Sequence, residues 1–140
     1  MADRRLILDS SALSALAQGD PRAIAWAYRA TEHKMLYGIP APVLAETLTG
    51  QPRDANIHRA IPSPELVLDT TMGIAGMAGS LRYRAKRPEK TIDAIVVATA
   101  AKHPGSIVLT GDPKDLTLLA SFCSDARLAI RSVNMGPTRK

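Results

Sequence analysis

Residues 91–112 read TIDAIVVATAAKHPGSIVLTGD, and this stretch decides the fold class. Residues 94–101 are apolar or small on every side, a pattern that suits a helix buried all round. Residues 106–110 then read as a strand, and Asp112-Pro113 opens a further helix in the favoured cap-and-first-turn order. Working outward, Leu6-Ile7-Leu8 is a short run of the fully buried strand type, followed at once by the cap chemistry of Asp9-Ser10-Ser11. A helix over 12–18 is closed by Gly19, and Asp20-Pro21 starts another. A strand is expected around 35–39, with Pro42 opening the next helix. Residues 51–64 are poor in regular signal, apart from a helical turn or two over 55–60.

Residues 66–68 give a third short strand, and 70–85 a helix carrying Ile74, Met77, Ala78 and Leu81 on one face. Gly73, Gly76 and Gly79 recur at every third position of that helix. Each costs about 1 kcal/mol against alanine, which predicts close packing of a neighbour there. Residues 127–133 form the last strand. Strands alternate with helices throughout, so the expected architecture is a single three-layer α/β domain over 1–134 around a mostly parallel sheet. Residues 135–140 are expected to form a flexible tail.

The 140 residues suffice to bury roughly two-thirds of the surface the unfolded chain exposes. Hydrophobic content of 46% and a mean hydropathy of −0.03 indicate a globular chain. One cysteine, Cys123, excludes an internal disulfide framework and suits a reducing cytosol. Three scattered histidines, without Cys or His at zinc-ligand spacing, argue against a structural zinc site. The longest apolar run, 94–101, is far short of the ~20 residues of a spanning helix. The opening MADRRLILDSSALSALA resembles a signal peptide in outline. Asp9 and three serines interrupt its apolar part, so it reads instead as the first strand and helix of a cytoplasmic protein. A net charge of +5 and a pI near 9.7 favour a polyanionic partner.

Four carboxylates interrupt or end apolar segments: Asp9 in LILDSSAL, Glu46 in APVLAETL, Asp93 in TIDAIVVATA and Asp112 in IVLTGDPKDL. Buried acids need a positive partner, and no basic residue accompanies each one. Each also has a structural reading. Asp9 suits an N-cap, Glu46 an exposed helix face, Asp93 the positive end of a helix dipole, and Asp112 a helix opening. Asp69 repeats the Asp9 pattern after 66–68 and is assigned to capping; Asp115 is a supporting or exposed residue. Taken together, strand-end and helix-borne acids can converge at the carboxyl end of the sheet, where open α/β sheets bind ligands. Four carboxylates in one pocket call for protonation or a metal, and oxygen ligands select Mg2+ or Mn2+.

At these residues the chain resembles the PIN-domain ribonucleases, in particular the VapC-type toxins of prokaryotic toxin–antitoxin pairs. The stretches LILDSSAL, IPAPVLAETL, TIDAIVVATA and VLTGDPKDL stand in that family's order over nearly the whole chain. The resemblance implies that Asp9, Glu46, Asp93 and Asp112 are the acidic active-site residues. Ser11 and the Thr110 of the T-x-D turn would support them. It further implies a Mg2+- or Mn2+-dependent endoribonuclease, inhibited by a cognate antitoxin and assembled as a homodimer. Asp9 and Asp93 would then be direct metal ligands, with Glu46 and Asp112 acting through water or on a second ion. The glycine-rich stretch 73–79 departs from the family's pattern.

Arg82, Arg84, Lys86, Arg87 and Lys90 form a basic cluster before the Asp93 helix. It reads equally as RNA contact and as cations at a helix carboxyl end. Aromatics are only 4%, which disfavours a base-stacking platform. Two other functions suit the acids: a PIN-like scaffold that binds RNA or protein without cleavage, and a Mg2+-dependent phosphatase of the haloacid-dehalogenase type. The latter carries a second Asp two residues after the first, where this chain has Ser11.

Overall fold

The computed structural model describes residues 4–123 and 127–137. Five parallel strands form one sheet: β1 (Arg5–Leu8), β2 (Leu36–Pro40), β3 (Val67–Leu68), β4 (Ser106–Thr110) and β5 (Leu128–Ser132), in the order β3-β2-β1-β4-β5. Among the described residues the α-helices are α1 (Ser10–Ala17), α2 (Pro21–Glu32), α3 (Ala41–Thr47), α4 (Ala55–Ala60), α5 (Met72–Ala85), α6 (Thr91–Ala101) and α7 (Pro113–Ala120). The expected α/β class is therefore realised, with a sheet parallel throughout. The opening segment, which resembled a leader in outline, supplies the central strand and the first helix.

Strand β1 is paired on both edges, by β2 and β4, and helices α1, α2 and α6 pack on it. That is why Leu6, Ile7 and Leu8 are apolar in succession rather than in alternation, and all three are buried. Each such side chain contributes about 1.5–3 kcal/mol when removed from water. The chain runs from β1 through β2 to β3 in one direction across the sheet, and then back to β4 and β5 on the other side of β1. The reversal puts the two sets of helices on opposite faces. Helix α2 lies against β1 and β2, while α5, α6 and α7 pack on one another and α6 spans β1, β2 and β4. Ala94 and residues 96–100 are wholly buried, as a helix apolar on every side requires. The strand order reverses between β1 and β4, so the crevice outside their carboxyl ends is the switch point of the sheet.

Two local expectations are corrected. Asp69 is exposed, and Thr71 caps α5 instead, its Oγ1 accepting from Ile74 N at 3.2 Å. A hydroxyl one residue before the helix reaches the free N–H groups, whereas Asp69 lies two residues further out. The α5 glycines do not serve close packing within the chain. A Cβ on Gly76 or Gly79 would meet nothing within 4 Å, and one on Gly73 only the Thr71 hydroxyl at 3.8 Å. Helix α5 buries Ile74, Ala78, Leu81 and Ala85, which leaves the glycine side away from the core. Beyond β5, the Met135 carbonyl accepts from Trp26 Nε1 at 2.8 Å, and residues 138–140 of the expected tail lie outside the described residues.

Candidate active site

Asp9 leaves β1 in extended conformation and caps α1, its Oδ1 accepting from Ala12 N at 2.9 Å. The capping reading is thus correct, and it accounts for only part of what the carboxylate does. Ser11 Oγ also donates to Oδ1, at 2.7 Å, and Thr110 Oγ1 donates to Oδ2 at 2.5 Å. Ser11 and Thr110 each hold the next turn as well. Gly111 N donates to Ser11 Oγ at 2.8 Å, and Asp112 N donates to Thr110 Oγ1 at 3.1 Å. Two hydroxyls therefore fasten the turn after β4 to the acid after β1, across the switch point. Asp9 is 8% exposed and Thr110 1%. A carboxylate offers about four lone-pair sites; three are occupied here, and the remaining one is on Oδ2.

Asp93 sits half-buried in the first turn of α6, whose amino end opens at the same edge of the sheet. Burial raises its carboxyl above the ordinary value of 3.8; the Asp9 charge raises it further, and Glu46 adds a smaller push. The Lys90 ammonium offsets part of this. Asp93 thus lies within electrostatic reach of Asp9 and of Glu46, which come from two other parts of the chain. Glu46 itself is exposed, near the end of α3. Asp112 is exposed and occupies the cap position of α7 without a side-chain cap hydrogen bond. Its structural reading as a helix opener therefore lacks the bond that would justify an acid there. Its backbone is tied to the Asp9 network through Thr110, while its carboxylate is not among the charges that raise Asp93 most.

Asp115 is the counter-case. It pairs with Lys90 at 2.9 Å, and that hydrogen bond holds its carboxyl below the usual value while raising Lys90. Lys90 also precedes α6, so the pair ties α7 to the start of the Asp93 helix. Of the basic cluster, Arg82 is engaged within the chain, donating to Pro88 O at 2.9 Å and Thr91 Oγ1 at 2.7 Å. Arg84, Lys86 and Arg87 remain exposed.

Among the described residues the only ion pairs join Arg22 to Asp20 and Lys90 to Asp115, so none of the four candidate acids has a basic partner within 4.0 Å. No group of three or more His, Cys, Asp or Glu side chains is arranged to hold a metal among those residues either. Mg2+ needs no such cage, because it takes one or two carboxylates and keeps its waters. The donor set fits such an ion: Asp9 retains one lone-pair site on Oδ2, and Asp93 carries a charge that its neighbours oppose.

One acid escaped the sequence reading. Asp54 is 7% exposed and accepts from Thr49 Oγ1 at 2.8 Å, Thr49 N at 2.9 Å and Gly50 N at 2.7 Å. The Thr49 hydroxyl, with these backbone donors, holds its carboxyl below the usual value. The signal was Thr49-Gly50 five and four residues upstream, and its meaning is a locked loop rather than chemistry. The chain matches none of the protein-family models and none of the curated proteins it was compared with, so a function rests on these residues alone.

Proposed function

We propose that this protein is a Mg2+- or Mn2+-dependent endoribonuclease of the PIN type, the toxin of a type II toxin–antitoxin pair. It acts in the cytoplasm as a homodimer and is held inactive by a cognate antitoxin. What supports the reading is that Asp93 feels the charges of Asp9 and, more weakly, Glu46, that none of the three forms an ion pair within 4.0 Å, and that Asp9 ends a strand at the switch point. Asp9 and Asp93 would hold the ion directly, with Glu46 and Asp112 completing the site through water or a second ion. When bound, the cation stabilises charge on the phosphoryl oxygens and lowers the pKa of a bound water. Ser11 and Thr110 keep Asp9 oriented, so that Oδ2 presents its free lone pair. Glu46, exposed and unpaired, is available to accept the proton of the attacking water. Arg84, Lys86 and Arg87, with the net charge of +5, favour contact with RNA phosphates, and Arg82 positions the segment that carries them.

The phosphatase reading loses ground at Ser11. Its hydroxyl is committed to Asp9 Oδ1 and Gly111 N, which leaves no group there for the second acid's task. The deciding experiment is cleavage of structured RNA with Mn2+, with EDTA, and with Asp93→Asn. Cleavage that needs Mn2+ and disappears in the variant supports the proposal. RNA binding without cleavage in every condition would establish the scaffold reading instead.

A further inference from the structure

A second concave site lies away from the acids. A cavity of about 290 Å³ is walled by Arg4, Trp26, Arg29, His33, Met35 and Arg131. Arg4 precedes β1 and Asp9 follows it, so this cavity is roughly 15 Å or more from the candidate active site along the strand. Its chemistry is the reverse. Three guanidinium groups come from three parts of the chain, and no acidic side chain lines the cavity. None of the three arginines forms an ion pair among the described residues.

Each guanidinium carries five N–H donors, and few are used. Arg4 donates to His33 O, Arg29 Nε to His33 Nε2, and Arg131 to Ile130 O, each at 3.0 Å. The carbonyl end of α2 explains cations at Arg4 and Arg29, because a helix carboxyl end attracts positive charge. It does not explain Arg131, which belongs to edge strand β5, nor the cavity between them. The inner wall is apolar. Trp26 is 8% exposed, and its Nε1 is spent on Met135 O, so the small part of the indole that reaches the cavity is hydrocarbon rather than a donor. Met35, also buried, continues that surface.

We infer that this cavity binds a small organic phosphate, the dianionic head among the three guanidiniums and the apolar part of its body toward the wall that Trp26 and Met35 line. Three cations suit a dianion better than a single carboxylate, and guanidinium forks match phosphate oxygens. The volume lies at the small end of ligand sites, which suits a mononucleotide-sized molecule. This inference does not depend on the nuclease reading.

Trp26 is the only tryptophan in the sequence, so its fluorescence reports this cavity alone. The full-length protein would be titrated with adenosine 5′-monophosphate at constant ionic strength. A saturable change is expected, weakened about tenfold or more by Arg131→Gln, an exposed position whose substitution leaves the core untouched. Asp93→Asn should bind as the wild type does. Absence of a saturable change, or equal affinity in Arg131→Gln, would overturn the inference. Equal binding of adenosine or of benzoate would remove the phosphate from it, and loss of binding in Asp93→Asn would move the ligand to the acids.

Discussion

Thr110 Oγ1 donates to Asp9 Oδ2 across 101 residues of sequence, joining the ends of the neighbouring strands β1 and β4 where the strand order reverses. The bond is buried, and the same hydroxyl accepts from Asp112 N. Thr110→Val keeps the shape and removes both roles. Leaving Asp9 Oδ2 without this donor should cost about 1–3 kcal/mol, read as a lower urea midpoint at unchanged slope. Thr110→Ser should recover most of it. A valine variant as stable as the wild type would mean that the bond holds nothing together.

Asp93 makes stability depend on pH in a defined direction. Burial first, and then the Asp9 charge, raise its carboxyl above 3.8 in the folded chain. A group that holds its proton more tightly when folded stabilises the fold below its unfolded pKa. That contribution is lost as pH climbs through the raised value. Asp93→Asn removes the loss. In EDTA its melting temperature should match the wild type near pH 4 and exceed it near pH 7. A constant offset across that range would contradict the assignment.

Cation binding gives a readout independent of cleavage. Mn2+ at a hundred times its Kd should stabilise the wild type by about 2.7 kcal/mol. Asp9→Asn and Asp93→Asn should both lose that gain. Equal Mn2+ stabilisation in all three proteins would place the ion elsewhere.

Asp112 and Asp115, three residues apart, should behave differently. Asp115→Asn breaks a pair whose side chains are about one-third exposed, at 29% for Asp115 and 33% for Lys90. It should cost about 0–1 kcal/mol and leave cleavage within a few-fold of wild type. Asp112→Asn should leave stability unchanged and lower cleavage by about 100-fold or more. The opposite pattern would exchange their roles.

Helix α5 tests where its glycine side faces in solution. With nothing within 4 Å of an added Cβ, Gly76→Ala and Gly79→Ala should each stabilise the chain by about 1 kcal/mol. Destabilisation together with a fall in sedimenting mass would mean that a second copy covers this side.

The local elements were legible because their causes are local. The buried all-apolar helix α6, the strand β4 and the pairing of Asp20 with Pro21 at the start of α2 all lie where the residues placed them. Thr71 in place of Asp69, and the open space beside Gly76, were not legible. Which hydroxyl reaches a free N–H depends on where the helix actually starts, and which side of α5 is covered depends on α6 and α7. Sequence alone determined an alternating α/β chain with acids at strand ends and on helices. Strand order was decided only by tertiary structure, since buried parallel strands share one apolar pattern and carry no mark of their neighbours. That order puts Asp9 beside Thr110, brings the charges of Asp9 and Glu46 to bear on Asp93, and leaves Asp115 to Lys90. A carboxylate's role follows from what surrounds it, and its surroundings come from residues a hundred positions away.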